Sequence, residues 1–470
     1  MNRLLSIFTC FAFCCFATSR LLAKEFESSF EAVKNITIGW NLGNTLDSNS
    51  GDTLNMWQER WTYPLTPNKY ETMWEQPTTK RSLITLFRKA GFNAIRVPVT
   101  WYPHMGIKCV NVGDKGYWYR SQWTESTVDA AWMRRVHEIV DYVTSQGMYC
   151  ILNVHHDTGE ANTAWLRADE ATYKKEKNRF ASLWKQIAEE FKDYDDHLLF
   201  EGYNEMLDPL GSWCFASFAA NGNYNATIAA SAYKAINGYA QTFVDAVRST
   251  GGNNAERNLI VSTYGACSGS GSWNSHLLEP ITQLNVPDDE ANNHIIMEVH
   301  SYPSIKNLSS AKSEVRNMFK DLDTYIIKQK GVPVILGEWG SSETDAYTNY
   351  RSNKIDFCQY VVEQAKAKNI PTFYWMGLSD GESRSIPQFN EPELVDAIVK
   401  GYYGYNGYLP DIEPGDADND GVVTVTDITT IASRILGGSP KPFNFDNADV
   451  DGDSRITVAD IKATAAIILK

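Results

Sequence analysis

The chain has 470 residues, 43% of them hydrophobic and 12% aromatic, enough to bury one large core and a small second domain. The formal net charge of −14 argues against a nucleic acid or an anionic membrane as partner, because both would favour a basic surface. Flat aromatic faces suit sugar rings, but most of the 14 Trp and 24 Tyr are expected to be ordinary core and surface residues.

Residues 1–23 have the features of a secretory signal peptide. Arg3 is followed by an apolar run from Leu4 to Ala17, and Leu22 and Ala23 could precede the cleavage point. The apolar run is too short for a comfortable membrane span, and no later segment has the length of one. We therefore expect a secreted or cell-surface protein.

The cysteines and glycines exclude several other classes of site. Three of the eight Cys lie in the leader, and the other five show no CxxC spacing, so neither a zinc site nor a disulfide scaffold is predicted. The five are Cys109, Cys150, Cys214, Cys267 and Cys358. The glycine-serine run at 268–272 does not open a dinucleotide fold, and no Walker-type loop is present.

Residues 30–403 alternate between short apolar runs and helical patterns. Eight strand-like runs over this length predict an α/β fold of the (β/α)8 TIM barrel type, with a doubly wound sheet as the alternative. The runs are "NITIGW", "NAIRVPV", "MYCILNV", "HLLFEGY", "NLIVSTY", "HIIMEVH", "VPVILGE" and "PTFYWMG".

The polar residues at the ends of these runs are the candidate site, because a barrel carries its active site at the C-terminal ends of its strands. Any one of them has an ordinary structural explanation, and only the set as a whole is informative. The candidates are Arg96, His155, His156, Asn204, Glu205, Tyr264, His300, Tyr302, Glu338 and Trp375.

Seven stretches resemble glycoside hydrolase family 5, the cellulase-type barrels. They are "GWNLGNTLD", "GFNAIRVPVTW", "ILNVHHD", "FEGYNE", "VHSY", "LGEWG" and "FYWMG". The resemblance implies a retaining endo-acting β-glycanase that needs no cofactor for catalysis, with Glu205 as acid/base and Glu338 as nucleophile. Trp339, where many members carry Phe, is expected to tune the shape of the pocket.

The chemistry of retention agrees with this assignment, since it needs two carboxyl groups about 5–5.5 Å apart, one ionised and one protonated. The resemblance implies supporting roles for the other residues. Arg96 and Tyr302 would keep Glu338 ionised, and Asn204 would bind the sugar 2-hydroxyl. His155 and His300 would orient the site, and Trp375 would be the floor on which a sugar stacks.

The polysaccharide remains open at this stage, because one barrel accepts several glycans through loop variation. A β-1,4-glucan of the cellulose type ranks first, and mixed-linkage β-glucan, xyloglucan and mannan are the alternatives. Insertions at 48–70, 104–124 and 206–228 are expected to build the sugar subsites. A barrel that binds glycans without cleaving them is the alternative from another class, and the presence of both carboxylates argues against it.

The composition changes at the Pro/Gly-rich linker 404–414, and residues 415–470 contain an internal repeat. The copies begin at Asp416 and Asp449, 33 residues apart. Clustered carboxylates at this spacing suit calcium, with a backbone carbonyl at the seventh position of each loop. The predicted ligands are Asp416, Asp418, Asp420, Val422 and Asp427 in the first loop, and Asp449, Asp451, Asp453, Arg455 and Asp460 in the second.

Apolar residues at helical spacing follow both loops, which argues against the alternative of a flexible acidic tail. The two helices are expected to pack through Ile428, Ile431, Ile435, Ile461 and Ile468. Together the loops and helices resemble a type I dockerin, a module that attaches enzymes to cohesin-bearing scaffold proteins. The resemblance implies partner recognition by Val425-Thr426 and Val458-Ala459, and these pairs differ from each other.

Overall fold

The computed structural model describes residues 26–49, 66–105, 109–112, 115–118, 126–161, 164–221, 223–269, 271–343, 349–404, 414–418, 422–438, 440, 443–453 and 455–469. The predicted signal peptide, most of the linker, and large parts of the insertions at 48–70 and 104–124 lie outside these residues. Within the described part, no helix combines the length and hydropathy that crossing a bilayer requires.

Eight parallel strands form a closed barrel in the order β1-β10-β9-β8-β7-β6-β5-β2, which confirms the predicted fold class. They are β1 (Ile38–Asn41), β2 (Ala94–Val97), β5 (Tyr149–Asn153), β6 (Leu198–Glu201), β7 (Leu259–Cys267), β8 (Ile295–Ser301), β9 (Val334–Trp339) and β10 (Thr372–Trp375). An antiparallel pair, β3 (Cys109–Val112) and β4 (Lys115–Trp118), lies in the insertion after β2.

Helices follow most barrel strands and cover the outside of the sheet. Those of the barrel region are α1 (Ser29–Asn35), α2 (Pro67–Glu71), α3 (Arg81–Ala90), α4 (Ala130–Thr144), α5 (Glu170–Glu190), α6 (Ala226–Arg248), α7 (Glu279–Gln283), α8 (Leu308–Leu322), α9 (Arg351–Lys366), α10 (Glu382–Ser385) and α11 (Pro392–Tyr403). Short polar side chains cap the N-termini of several of these helices by accepting backbone N–H bonds, as Asp129 does for α4 and Asn225 for α6.

The inside of the barrel is built in layers, because successive side chains of a strand point to opposite faces. An apolar floor closes the N-terminal end, where Val33 and Ile36 from the α1 region meet the first inward residues of the strands. Those residues are Ala94, Tyr149, Ile151, Leu199, Ile260, Ile296, Ile335 and Phe373. Two residues further along, the inward positions become polar, and this polar layer lies between the floor and the barrel mouth.

The repeated tail forms a separate small core around α12 (Val425–Ile435), α13 (Phe445–Ala448) and α14 (Val458–Ile468). Ile431 is fully buried, with Ile435 and Ile461 packed against the cluster, as predicted. Ile428 and Ile468 have the same intermediate burial as these two but do not belong to this cluster. The core is instead completed by the segment that joins the two repeats and by the first loop, through Ala417, Phe443 and Ala448.

Candidate active site

Arg96 on β2 is the centre of the polar layer, and its side chain is fully buried. Its Nε and Nη2 atoms donate to both carboxylate oxygens of Glu201 at 2.6 and 2.7 Å. Nη1 donates to Glu338 Oε1 at 2.7 Å and to Asn41 Oδ1 at 3.0 Å, and Nη2 also donates to Asn204 Oδ1 at 2.9 Å. One guanidinium therefore fixes side chains from β1, β6 and β9, as well as the amide that follows β6.

Sequence reasoning missed two members of this layer, Glu201 and Glu298. Both are fully buried, and Glu298 Oε1 lies 3.4 Å from Arg96 Nε. The signal was available, since a carboxylate at an inward position of an apolar strand needs a partner, as does an Arg in another. Burial opposes the charge of Arg96, but Glu201, Glu298 and Glu338 together raise its pKa well above the usual value.

Glu338 near the end of β9 is 4% exposed and receives two hydrogen bonds through its two oxygens. Arg96 donates to Oε1, and the Tyr302 hydroxyl donates to Oε2 at 2.7 Å. Burial nevertheless raises the pKa of Glu338, with the nearby Glu205 adding to the effect, while His300 and Arg96 oppose it. The expected donors are present, but they offset burial only in part.

Glu205, the most exposed of these carboxylates, faces His300 from the loop after β6. His300 Nδ1 lies 2.8 Å from Glu205 Oε1 and 3.5 Å from Glu338 Oε2. Burial disfavours the imidazolium, but Glu338, Glu205 and Glu298 raise the pKa of His300 to about 10. His300 thus lies between two carboxylates, one oxygen of each lying within 4.8 Å of the other.

His155 and Trp375 form the opposite wall of the site. Their rings are parallel, with centroids 5.7 Å apart, and Trp375 remains partly exposed. His155 Nδ1 accepts from Asn153 Nδ2 at 3.0 Å, which leaves its Nε2 as the protonated nitrogen, 3.9 Å from Glu338 Oε1. Burial lowers the pKa of His155 well below its usual value, so this imidazole is neutral.

His156 lies at the rim of the site rather than in it. Its side chain is 32% exposed, its Nε2 is 3.7 Å from Asp47 Oδ2, and its ring packs against Trp74. Asp47, His155 and His156 approach one another closely enough to resemble a metal site. However, Asp47 accepts the backbone N–H groups of Asn44 and Thr45, which accounts for its position as a turn residue.

Two predicted roles are wrong in this structure. Tyr264 does not reach the site, because β7 continues to Cys267, which pairs with His300 instead. The Tyr264 hydroxyl is buried and donates to Ser212 O, so it supports the loop after β6. Trp339 is 1% exposed and packs edge-on against Tyr374, directed away from the pocket that it was expected to shape.

The two loops of the tail each bring three carboxylates together. Asp416, Asp418 and Asp427 form one group and Asp449, Asp451 and Asp460 the other, with one oxygen of each residue within 4.8 Å of the rest. Asp420 lies outside the described residues, Asp453 is exposed and not part of the second group, and Val422 and Arg455 lie exposed on their loops. Hard, closely spaced oxygens of this kind fit a calcium ion.

The barrel and its paired carboxylates define a class of protein, the glycosidases that act through two acidic residues. The family description "Cellulase (glycosyl hydrolase family 5)" matches residues 59–380. The chain belongs to glycosyl hydrolase family 5 and is a glycoside hydrolase. "Dockerin type I domain" matches residues 414–467, so the tail is a dockerin module.

Individual relatives agree with the family assignment. The chain is 33% identical over 394 residues to Endoglucanase B of Neocallimastix patriciarum, covering 80% of this chain and 72% of that protein. A broad-specificity endoglucanase from an uncultured bacterium superposes with a TM-score of 0.73 at 49% identity, covering 81% of this chain and 97% of that one. A family 5 enzyme of Prevotella bryantii B14, solved with a xyloglucan tetradecasaccharide, has a TM-score of 0.67 at 38% identity. The match covers 80% of this chain and 99% of that one.

Replacing Arg96 by Met should lower the free energy of unfolding by about 3–5 kcal/mol, because Glu201 would be left buried without its cation. Thermal or urea unfolding measures the loss. The control is Lys234→Met, which breaks the exposed ion pair with Glu170 and should leave the free energy of unfolding nearly unchanged, because solvent screens such pairs. Equal losses for the two variants would contradict the central role of Arg96.

Proposed function

We propose that this enzyme is a retaining endo-β-1,4-glucanase in which Glu338 is the nucleophile and Glu205 the general acid and base. The observation that carries the proposal is the pair of carboxylates within 4.8 Å, held in two different environments. A short separation suits direct attack by one carboxylate, whereas inverting enzymes keep about 6.5–9.5 Å between the two carboxyl groups to admit a water molecule.

In the first step Glu338 attacks the anomeric carbon and Glu205 protonates the departing oxygen, so that a covalent glycosyl-enzyme forms. Arg96 and Tyr302 orient the attacking carboxylate through their hydrogen bonds to its two oxygens. In the second step Glu205 removes a proton from water, which attacks the same carbon, and Glu338 departs. Two inversions return the original configuration.

The polar layer also positions the sugar. Asn204 is held through its Oδ1 by Arg96, which leaves its amide nitrogen to donate to the sugar 2-hydroxyl. Trp375 presents a partly exposed ring beside His155, and a pyranose can stack on it. Gly43 lies against the Trp375 ring, and a Cβ at residue 43 would come within 2.9 Å of that ring. Glycine therefore lets the loop after β1 approach the Trp375 side chain.

Linear β-1,4-glucan is the proposed main substrate, and xyloglucan is the second candidate. The support for xyloglucan is the Prevotella bryantii enzyme, whose structure contains a xyloglucan oligosaccharide, and the broad specificity of the uncultured-bacterium enzyme. Mixed-linkage β-glucan contains the same β-1,4 bonds as linear β-1,4-glucan and xyloglucan, so it remains a candidate substrate. Mannan ranks last, because its sugars have the opposite configuration at the 2-hydroxyl that Asn204 is proposed to bind.

For the tail we propose that each acidic loop holds one calcium ion and that the folded module binds a cohesin-bearing scaffold. Asp427 and Asp460 are buried residues that accept backbone N–H bonds from their own loops, at Thr424 and Thr457. Their loops would supply the other oxygens to the ion. Such a module belongs to an enzyme that works outside the cell, in agreement with the signal peptide expected at residues 1–23.

The mode of attack on polymer tests the function. We expect the viscosity of a soluble β-1,4-glucan to fall steeply before much reducing sugar appears, since an endo enzyme cuts within chains. The measurement follows viscosity and reducing ends together, on β-1,4-glucan, mixed-linkage glucan, xyloglucan and mannan. Release of mono- or disaccharide with little loss of viscosity would show attack at chain ends and rule out the proposal.

The two carboxylates should respond differently to removal. Glu338→Ala should abolish cleavage, and azide should restore it with inverted product, because a small anion can enter the space of the nucleophile. Glu205→Ala should retain activity on an aryl glycoside whose leaving group needs no proton. Its rate of polymer cleavage should fall by about 10²–10⁴-fold. Near-native polymer cleavage by either variant would mean that the roles are assigned wrongly.

Calcium should stabilise the dockerin without affecting the barrel. In scanning calorimetry of the full chain, added calcium should raise the transition temperature of the tail, because a thousandfold excess over Kd stabilises the folded module by about 4 kcal/mol for each site. Chelator should leave glycan hydrolysis unchanged, because none of the proposed catalytic roles uses a metal. The paired variant Asp416→Ala, Asp449→Ala serves as the control that should not respond, and a wild-type tail transition insensitive to calcium would refute the calcium sites.

A further inference from the structure

Glu298 and His300 contain two buried polar atoms that make no hydrogen bond within the described part of the chain, Glu298 Oε1 and His300 Nε2. The two atoms face each other at 3.5 Å from neighbouring inward positions of β8. One belongs to a carboxylate and the other to an imidazole that can carry a proton there. A small movement would join them, and buried groups of this kind are rarely left without a partner.

The surrounding structure makes room for the carboxylate of Glu298. A Cβ at residue 337 would lie 1.6 Å from Glu298 Oε1, so only glycine is compatible at that position, directly before Glu338. The other oxygen, Oε2, lies 2.8 Å from Ser262 Oγ. Burial would raise the pKa of Glu298, but Arg96 and His300 outweigh it and keep the pKa below the usual value.

His300 joins this buried carboxylate to the proposed acid/base. Its Nε2 faces Glu298, and its Nδ1 lies 2.8 Å from Glu205 Oε1. We propose that Glu298 is a positioning residue for the acid/base, acting through His300: its negative charge keeps His300 protonated on both nitrogens throughout the reaction. Glu298 itself does not touch the substrate.

A protonated His300 affects the proton that Glu205 donates and later takes back. This step rests on the proposed role of Glu205 as acid and base. An imidazolium can only donate through Nδ1, so it occupies Glu205 Oε1 and leaves the other oxygen to exchange the proton with the substrate. A neutral imidazole with a bare Nδ1 would instead accept the proton of Glu205. Glu298 therefore prevents His300 from competing with the glycosidic oxygen.

Other charged and titratable groups lie around Glu298 and His300. They come from β2, β6, β7 and β9, and from the loops after β5, β6 and β8. They are Arg96, His155, Glu201, Tyr203, Glu205, Cys267, Tyr302 and Glu338. Among them, Glu201 is the matched comparison for Glu298, since it is equally buried and also borders Arg96, but its hydrogen bonds go to Arg96 and Asn153.

The variant Glu298→Gln keeps the shape of the side chain and removes its charge. We expect the alkaline limb of the kcat/KM profile on β-1,4-glucan to move to lower pH, because His300 and Glu205 together hold their two protons less tightly. The loss in kcat/KM should be about tenfold larger on polymer than on a 2,4-dinitrophenyl cellobioside, whose leaving group needs no proton. Glu298→Asp, which keeps the charge, should restore the alkaline limb at least in part.

Glu201→Gln is the matched control and should reduce the cleavage of both substrates by similar factors, because it disturbs Arg96 and Glu338 rather than the acid. Should Glu298→Gln fail to fold, nitrogen NMR of labelled wild-type enzyme, with His300→Gln to assign the signal, decides the question. Protonation of both His300 nitrogens at pH 7 is expected. A neutral His300, an unmoved alkaline limb, or equal losses on both substrates would overturn the positioning role.

Failure of this proposal can be told apart from failure of the proposed function. If Glu205→Ala cleaves polymer at the wild-type rate, the acid/base assignment itself is wrong. If Glu205→Ala shows the expected selective loss and Glu298→Gln does not, the assignment stands and Glu298 is only a structural residue.

Discussion

The guanidinium of Arg96 is the constraint on which the barrel mouth depends. A fully buried cation is tolerated only when anions and hydrogen-bond acceptors surround it, and Arg96 has both from four strands of the barrel. Its donors are fixed in one plane, so each partner is held in one orientation. The nucleophile proposed here, Glu338, is therefore oriented from beneath by the barrel interior, rather than by a mobile loop.

The layers of the barrel explain why such a cluster can exist. The apolar floor closed by Val33 and Ile36 separates the polar layer from solvent at the N-terminal end, so its charges interact in a medium of low dielectric constant. In that medium Glu298 and Glu338 favour the charged forms of both Arg96 and His300. These two basic side chains compensate a set of carboxylates that could not otherwise be buried together.

Much of the fold and part of the site could be predicted from the sequence. Buried parallel strands are recognisable as apolar runs, and their C-terminal ends meet at the mouth of the barrel. The runs ending at Arg96, Asn204 and Glu338 illustrate this, and the structure brings these residues into contact. Glu201 and Glu298 were missed, since their partners come from other strands and a single sequence does not pair them. Tyr264 and Trp339 were misplaced for a local reason: the extension of β7 and the register shift between β8 and β9 change which side chains point inward.

The barrel and the dockerin solve one electrostatic problem in two ways. Both gather carboxylates at distances where like charges repel strongly. In the barrel, the compensating groups are built into the fold as the side chains of Arg96 and His300. In the tail, the small core around Ile431 and Phe443 offers little apolar area to resist repulsion among the six clustered Asp. The calcium ions proposed for the two loops would supply this compensation from solution, whereas the barrel carries its compensating groups within the fold.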